Sequence, residues 1–229
     1  MKSTLIMVMG LALAFVGCQP KVQDLNVKQE HSEVTSEEYE MRINRSVFSA
    51  ADEAINKSCM VLNGKIEKLV NDLRDSLRAD ATELFQTFAD NPAERPNWKY
   101  GLWIDDSVFM ATDQFVSVRL RVSTFTGGAH GMTVYHAFNY DVKNQKLLTN
   151  KEILNYANAA QINTLLKANF KNPEGCFTEE PTLEVVNAIN FDAESLYFMY
   201  EQYVLGAYAC GAVEVTVPRM ELKENLLVK

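Results

Sequence analysis

The chain has 229 residues, 47% of them hydrophobic and 23% charged, the proportions of a folded globular protein long enough for one large domain or two small ones. Its 30 acidic side chains against 22 basic ones leave a net charge of −8 with the histidines neutral. Such a surface repels nucleic-acid phosphate, which argues against a nucleic-acid binder, and it favours encounter with basic partners.

Met1-Lys2 is a short positive start, and residues 5–16 are apolar apart from Gly10. About 12 residues fall short of the roughly 20 that span a bilayer core, so residues 1–17 are expected to be a signal peptide. The run ends in Phe15-Val16-Gly17-Cys18, which resembles a bacterial lipobox with Phe15 in place of the usual Leu. In such a site the cysteine thiol takes diacylglycerol before cleavage. Cys18 is therefore the expected lipidation site, with the membrane as partner through that lipid. Gln19, where Asp would signal inner-membrane retention, points to the outer membrane, facing the periplasm or exterior. Loss of the leader removes Lys2 and makes the mature chain one charge more negative. Residues 18–36 are polar, with Pro20 near the start, and read as a flexible tether.

Tyr39, Met41 and Ile43 alternate with charged residues at strand period. From Phe48 through Ala51, Ile55, Leu62, Ile66, Leu69, Leu73, Leu77 and Leu84 to Phe88 the apolar spacing becomes three to four, which predicts a long helix. Ser46 or Ser49 could cap it, Asn63-Gly64 could divide it, and Pro92 and Pro96 stop it. Alternation then predicts a strand from Trp98 to Ile104, a turn at Asp105-Asp106-Ser107, and a strand from Val116 to Val122. Thr126-Gly127-Gly128 breaks the pattern, and residues 133–141 resume it. Lys143-Asn144-Gln145 reads as a turn. Thr149 with Glu152 is a capping-box signature. Ile162, Leu165, Leu166 and Phe170 suggest a short helix ended near Pro173. Residues 196–199 and 213–217 read as strands, followed by a short helix from Met220. The predicted class is α+β: a long N-terminal helix packed on an antiparallel sheet, with a second small α+β subdomain. The expected division is residues 37–125 and 126–229.

Candidate chemistry is sparse. His130 and His136 on one strand would lie about 20 Å apart, too far to share an ion, so no metal and no cofactor is expected. His136 shares a strand face with Phe138 and Tyr140 and reads as structural. No G-x-S-x-G elbow is present, and Asp105-Asp106 and Glu179-Glu180 are neighbours that point to opposite faces of an extended chain. No catalytic residue is assigned. Outside the cytoplasm Cys59, Cys176 and Cys210 allow at most one internal disulfide. Cys176 with Cys210 is the favoured pair, since both sit near glycine in expected loops; three free buried thiols are the alternative. Trp98, Tyr100 and Trp103 form one aromatic group, and Tyr197, Tyr200, Tyr203 and Tyr208 another. Exposed rings of this kind stack on sugars or anchor proteins, whereas alternating strand aromatics ordinarily fill a core.

Thr126-Gly127-Gly128-Ala129-His130-Gly131 is followed by Phe138-Asn139-Tyr140-Asp141 and Leu147-Leu148-Thr149. Later come Tyr203-Val204-Leu205-Gly206-Ala207-Tyr208-Ala209-Cys210-Gly211, Val215-Thr216-Val217-Pro218 and Leu222. This order resembles the extracytoplasmic domain shared by the anti-sigma factor RsiV and the N-terminal part of the peptidoglycan deacetylase PdaC, over roughly residues 37–229. Phe125 stands where that family commonly has Tyr, and Cys210 where it has a small residue. The resemblance does not extend to the deacetylase's catalytic module or to a sigma-binding segment. It implies a non-enzymatic envelope-binding domain, with a basic lysozyme-like muramidase or a wall glycan as ligand. Gly127, Gly128, His130, Tyr203 and Tyr208 are the candidate binding residues. The glycines also have a purely conformational reading as positive-φ turn positions. An envelope enzyme acting on peptidoglycan through scattered carboxylates is the alternative, and a structural component that binds another lipoprotein is a third.

Overall fold

A computed structural model describes residues 22–228; the expected signal peptide and the expected lipidation site Cys18 lie outside them. Nine strands and four α-helices follow one another. They are β1 (Asn26–Thr35), β2 (Tyr39–Ser49), α1 (Glu53–Gln86), β3 (Tyr100–Ala111), β4 (Phe115–Phe125), β5 (Met132–Asp141), β6 (Lys146–Leu147), α2 (Asn150–Ile153), α3 (Ala159–Asn169), β7 (Ala188–Phe191), β8 (Ser195–Tyr200), β9 (Val213–Pro218) and α4 (Arg219–Leu222). Strands β1 to β6 form one sheet in chain order, and β7 to β9 a second. The α+β class holds.

The sheet is mixed, not antiparallel as the alternating runs suggested. Strands β2 and β3 pair parallel, Tyr39 opposite Tyr100 through Ile43 opposite Ile104. The chain between them is α1, and a long crossover returns the next strand in the same direction. Helix α1 lies on one face. Leu62, Ile66, Val70 and Leu77 are buried against Leu102, Ile104, Val118, Leu120 and Val122. Each such side chain contributes roughly 1.5–3 kcal/mol by leaving water. Ser58 Oγ donates to the Val142 carbonyl at 2.6 Å and ties the helix to the end of β5.

Several boundaries move. Residues 26–35 are not tether but the polar edge strand β1, and the ordered run begins earlier still, with Leu25 buried and Asp24 bridged to Thr112. Both faces of β1 are exposed, so no apolar alternation marks it. The expected division at residue 125 falls inside the β4–β5 pairing, and the first sheet runs on to Leu147. Phe48 belongs to β2, so the helix starts later, capped by Asp52 Oδ1 on the Ile55 N–H at 3.0 Å. Asn63-Gly64 does not break α1; Asn63 instead holds both backbone groups of Phe48, at 3.0 and 2.8 Å. Asp105-Asp106-Ser107 is not a turn but the middle of β3. Asn44 and Arg121 satisfy Asp105, and Asp106 accepts the Ser46 N–H where β2 leaves β3.

The opposite face of the large sheet carries the small one, whose far side is covered by Ile162 and Leu166 of α3. Phe109 meets Tyr197 and Phe115 meets Phe191 across the seam between the sheets, and its centre is polar. Ser117 Oγ donates to Asn139 Oδ1 at 2.7 Å and accepts from Asn190 Nδ2 at 3.0 Å and the Phe191 N–H at 3.1 Å. Asn139 Nδ2 donates to the Ile189 carbonyl at 2.7 Å. Arg119, 8% exposed, pairs with Glu214 and lies over the Phe109 and Tyr135 rings. Directed bonds of this kind set the relative position of the layers they join, while Arg119 Nη1 and Asn190 Oδ1 stay buried without a hydrogen-bond partner.

Candidate functional site

The seam brings the β4–β5 loop, residues 126–131, beside the β8–β9 loop, residues 201–212. Gly127 and Gly128 take φ of 96° and 90°, a region that side chains rarely enter. Gly127 is required twice over, since a Cβ there would stand 2.6 Å from the Trp98 indole. Gly131 passes so close to β4 that a Cβ would meet the Thr124 carbonyl oxygen at 2.5 Å. These glycines shape the loop; none presents a functional group.

What the loop presents is His130. Its ring stacks on Tyr208 with centroids 3.8 Å apart and planes 17° from parallel. Its Nδ1 lies 3.1 Å from the Gly131 carbonyl, a bond that needs the proton on Nδ1 and leaves Nε2 an acceptor. The Tyr203 hydroxyl stands 3.5 Å from that Nε2. Tyr208 donates its hydroxyl to the same Gly131 carbonyl at 2.9 Å. Tyr203 leans on Tyr208 at 5.6 Å, takes φ of 69° and is 58% exposed. A non-glycine residue held at positive φ with its ring in solvent is a strained position, and such strain concentrates at functional sites.

The second loop is pinned from behind. Cys176 and Cys210 are bonded, with Cα atoms 5.7 Å apart, and Cys59 is free and buried. Cys210 closes the 3₁₀ turn that begins at Tyr208, so the disulfide fixes the ring that His130 stacks on. The Leu205 carbonyl accepts the N–H groups of Thr178 and Glu179.

Residues 32–133 match the family model described as deacetylase PdaC, and residues 139–220 match that of DUF3298, a family of proteins of unknown function. The two matches follow one another along the chain without overlap, each over less than half of it. A crystal structure of a DUF3298 family member from Bacteroides fragilis superposes with a TM-score of 0.68 at 17% identity, over 90% of this chain and 95% of that one. One from Pseudomonas aeruginosa superposes at 0.59 and 19% identity, over 88% and 94%. At these identities the likeness is one of fold. A search of curated proteins finds no match. His130 lies in the stretch that matches the PdaC model and both tyrosines in the stretch that matches DUF3298, so the cluster draws on both.

The remaining sequence candidates go elsewhere. Tyr200 is buried, its hydroxyl on the Thr182 carbonyl. Tyr197 donates to Asp192 at 2.5 Å, a bond that pushes its hydroxyl up to about 12. Trp98 stacks on Tyr100 and meets Phe85 and Phe125 edge-on, forming the wall that Gly127 abuts. Among the described residues no three His, Cys, Asp or Glu side chains are grouped to hold a metal ion. Burial pushes the His136 imidazole down, offset in part by the Glu201 carboxylate, and its Nε2 has no hydrogen-bond partner. Glu201 is engaged by the Tyr135 N–H and by Asn187. The role of Trp98 as a wall for residues 126–131 had no sequence signal, because the contact crosses about 30 residues of chain.

Proposed function

We propose that the chain is a lipid-anchored cell-envelope protein that captures a basic, lysozyme-like muramidase on the His130–Tyr203–Tyr208 cluster. PdaC-type and DUF3298 domains are associated with cell-envelope proteins, which supports the location. The observation that carries the reading is the exposed, pre-stacked ring cluster. Tyrosine is a preferred anchor of protein interfaces, and a ring already held in place loses little freedom on binding. Exposed Met132 at the base of the same hairpin extends the apolar surface. The excess of 30 acidic over 22 basic residues speeds encounter with a basic partner.

Wall glycan is the second reading, favoured by the Tyr203 ring, on which a sugar face can stack. The enzymatic alternative draws no support from the carboxylates: Asp105, Asp106 and Glu201 are each engaged within the fold. Calorimetric titration of the protein with a basic lysozyme, at low and high salt, tests the proposal. One-to-one binding at micromolar or tighter affinity that survives salt is expected, weakened about tenfold or more by Tyr203→Ala, which corresponds to about 1.4 kcal/mol. Heat only with soluble glycan fragments would replace the first reading by the second. No binding of either ligand would overturn both.

A further inference from the structure

At the other end of the body a cavity of about 560 Å³ opens between the start of α1, the β3–β4 turn and the β5–β6 turn. Its floor is apolar, formed by Ile55, Phe115 and Val142, and the exposed Ala54 stands at its mouth with Asp113 and Asp141. The volume lies in the range of small-molecule sites. The N-terminal run of the chain passes beside it. Gln23 N–H donates to Asp113 Oδ1 at 3.2 Å, and Asp113 N–H donates to the Gln23 carbonyl at 2.8 Å. A cleft of about 120 Å³ along Gln23 and Leu25 adjoins the cavity, the two sharing Asp113 and Ile55 in their lining.

We infer that this cavity holds an acyl chain of the lipid carried on Cys18. The inference rests on reading Cys18 as lipidated. Cys18 precedes Gln23 by five residues, so its Cα lies within roughly 18 Å of that of Gln23 even with the chain fully extended. The cavity mouth is therefore within reach of the anchor and of the bilayer surface it enters. An acyl chain gains little by exchanging bilayer for protein, but the apolar floor gains by losing its water. Charge selects among lipids. Two aspartates against Lys143 at the rim repel phosphate and free carboxylate head groups, whereas a thioether-linked glyceride brings no anionic head to them. A chain arriving on the protein's own cysteine meets that condition, and a phospholipid or free fatty acid does not.

The test compares two preparations using the neutral apolar fluorophore N-phenyl-1-naphthylamine. One is the intact lipidated protein; the other is the lipid-free body without its leader and with Cys18→Ser, which keeps both cores complete. The lipid-free body is expected to bind the probe saturably, one to one, and the intact protein at least tenfold more weakly. Ala54→Trp, at an exposed position in the first turn of α1, fills the mouth and lowers probe affinity about tenfold with unchanged circular dichroism. Ile55→Glu does the same by charging the floor. No saturable signal, or a signal untouched by both variants, overturns the cavity assignment. Equal binding by both preparations overturns the anchor as occupant. Mass spectrometry of the intact protein separates these failures from failure of the underlying reading, since an unmodified Cys18 removes the lipoprotein itself.

Discussion

The two faces of the large sheet are held by different physics. Toward α1, alternate residues of β4 are Val116, Val118, Leu120 and Val122, and the contact is hydrophobic apart from the bonds of Ser58 and Asn63 near the start of the helix. Toward the small sheet the intervening positions are Ser117 and Arg119, which make directed bonds to Asn190, the Phe191 N–H and Glu214 between the ring contacts of Phe115 with Phe191 and Phe109 with Tyr197. An apolar face tolerates sliding and repacking, because burial has no direction. A polar seam has one register in which its donors meet acceptors. The consequence reaches the site, since the seam, together with the Tyr208 bond to the Gly131 carbonyl, aligns the loop carrying His130 with the loop carrying Tyr208.

The comparison breaks first at its apolar side. Leu62→Ala, at a fully buried position on α1, is expected to cost about 2–5 kcal/mol by urea denaturation while leaving the His130–Tyr208 stack in place once folded. A loss below 1 kcal/mol would mean the helix is peripheral to stability. Glu214→Ala leaves the Arg119 guanidinium buried without its carboxylate and should cost about 3 kcal/mol. The double change Arg119→Met with Glu214→Leu should recover most of that, yet loosen the loops, seen as exchange broadening of the Tyr203 and Tyr208 ring signals. Asn139→Ala removes one bond to Ser117 and one to Ile189 and should cost about 1–2 kcal/mol. Its effect on ligand affinity should exceed that of Leu62→Ala, reversing their order in stability.

The smallest effect is one of pH. Lys146 first, then the Thr149 backbone and hydroxyl, hold the exposed Glu152 carboxyl down at about 2, where α2 leaves the first sheet. A carboxyl lowered on folding stabilises above its ordinary pKa near 4.5, and that contribution fades as pH falls toward 2. Thermal melts between those values should show a shallower pH dependence in Glu152→Gln than in the parent chain; identical slopes would remove the capping box from the junction's acid response.

Legibility in the sequence tracked the same division. The apolar face of α1, the alternation of β4 and β5 and the Thr149–Glu152 box were readable, because local period and capping are written in neighbouring residues. Strand β1 was not, since both its faces lie in water and no apolar alternation marks it. The Asp105-Asp106 pair misled for a related reason: its carboxylates look like turn formers until Ser46, Asn44 and Arg121 are placed beside them. Tyr203, Tyr208 and His130 could be nominated individually from their residue types and the family pattern. That His130 stacks on Tyr208 could not, because 77 residues separate Gly131 from the tyrosine whose hydroxyl it accepts.

The parallel pairing of β2 with β3 bears on how the chain assembles in time. Strands β3, β4 and β5 are joined by short turns and can zip locally, whereas β2 finds β3 only after the 34 residues of α1 and the segment beyond it have closed a long loop. Non-local parallel contacts of this kind form late and slowly. Until they do, β3 presents an unpaired edge and β1 has no sheet to extend, so the interval before closure is when strands of neighbouring chains compete for that place.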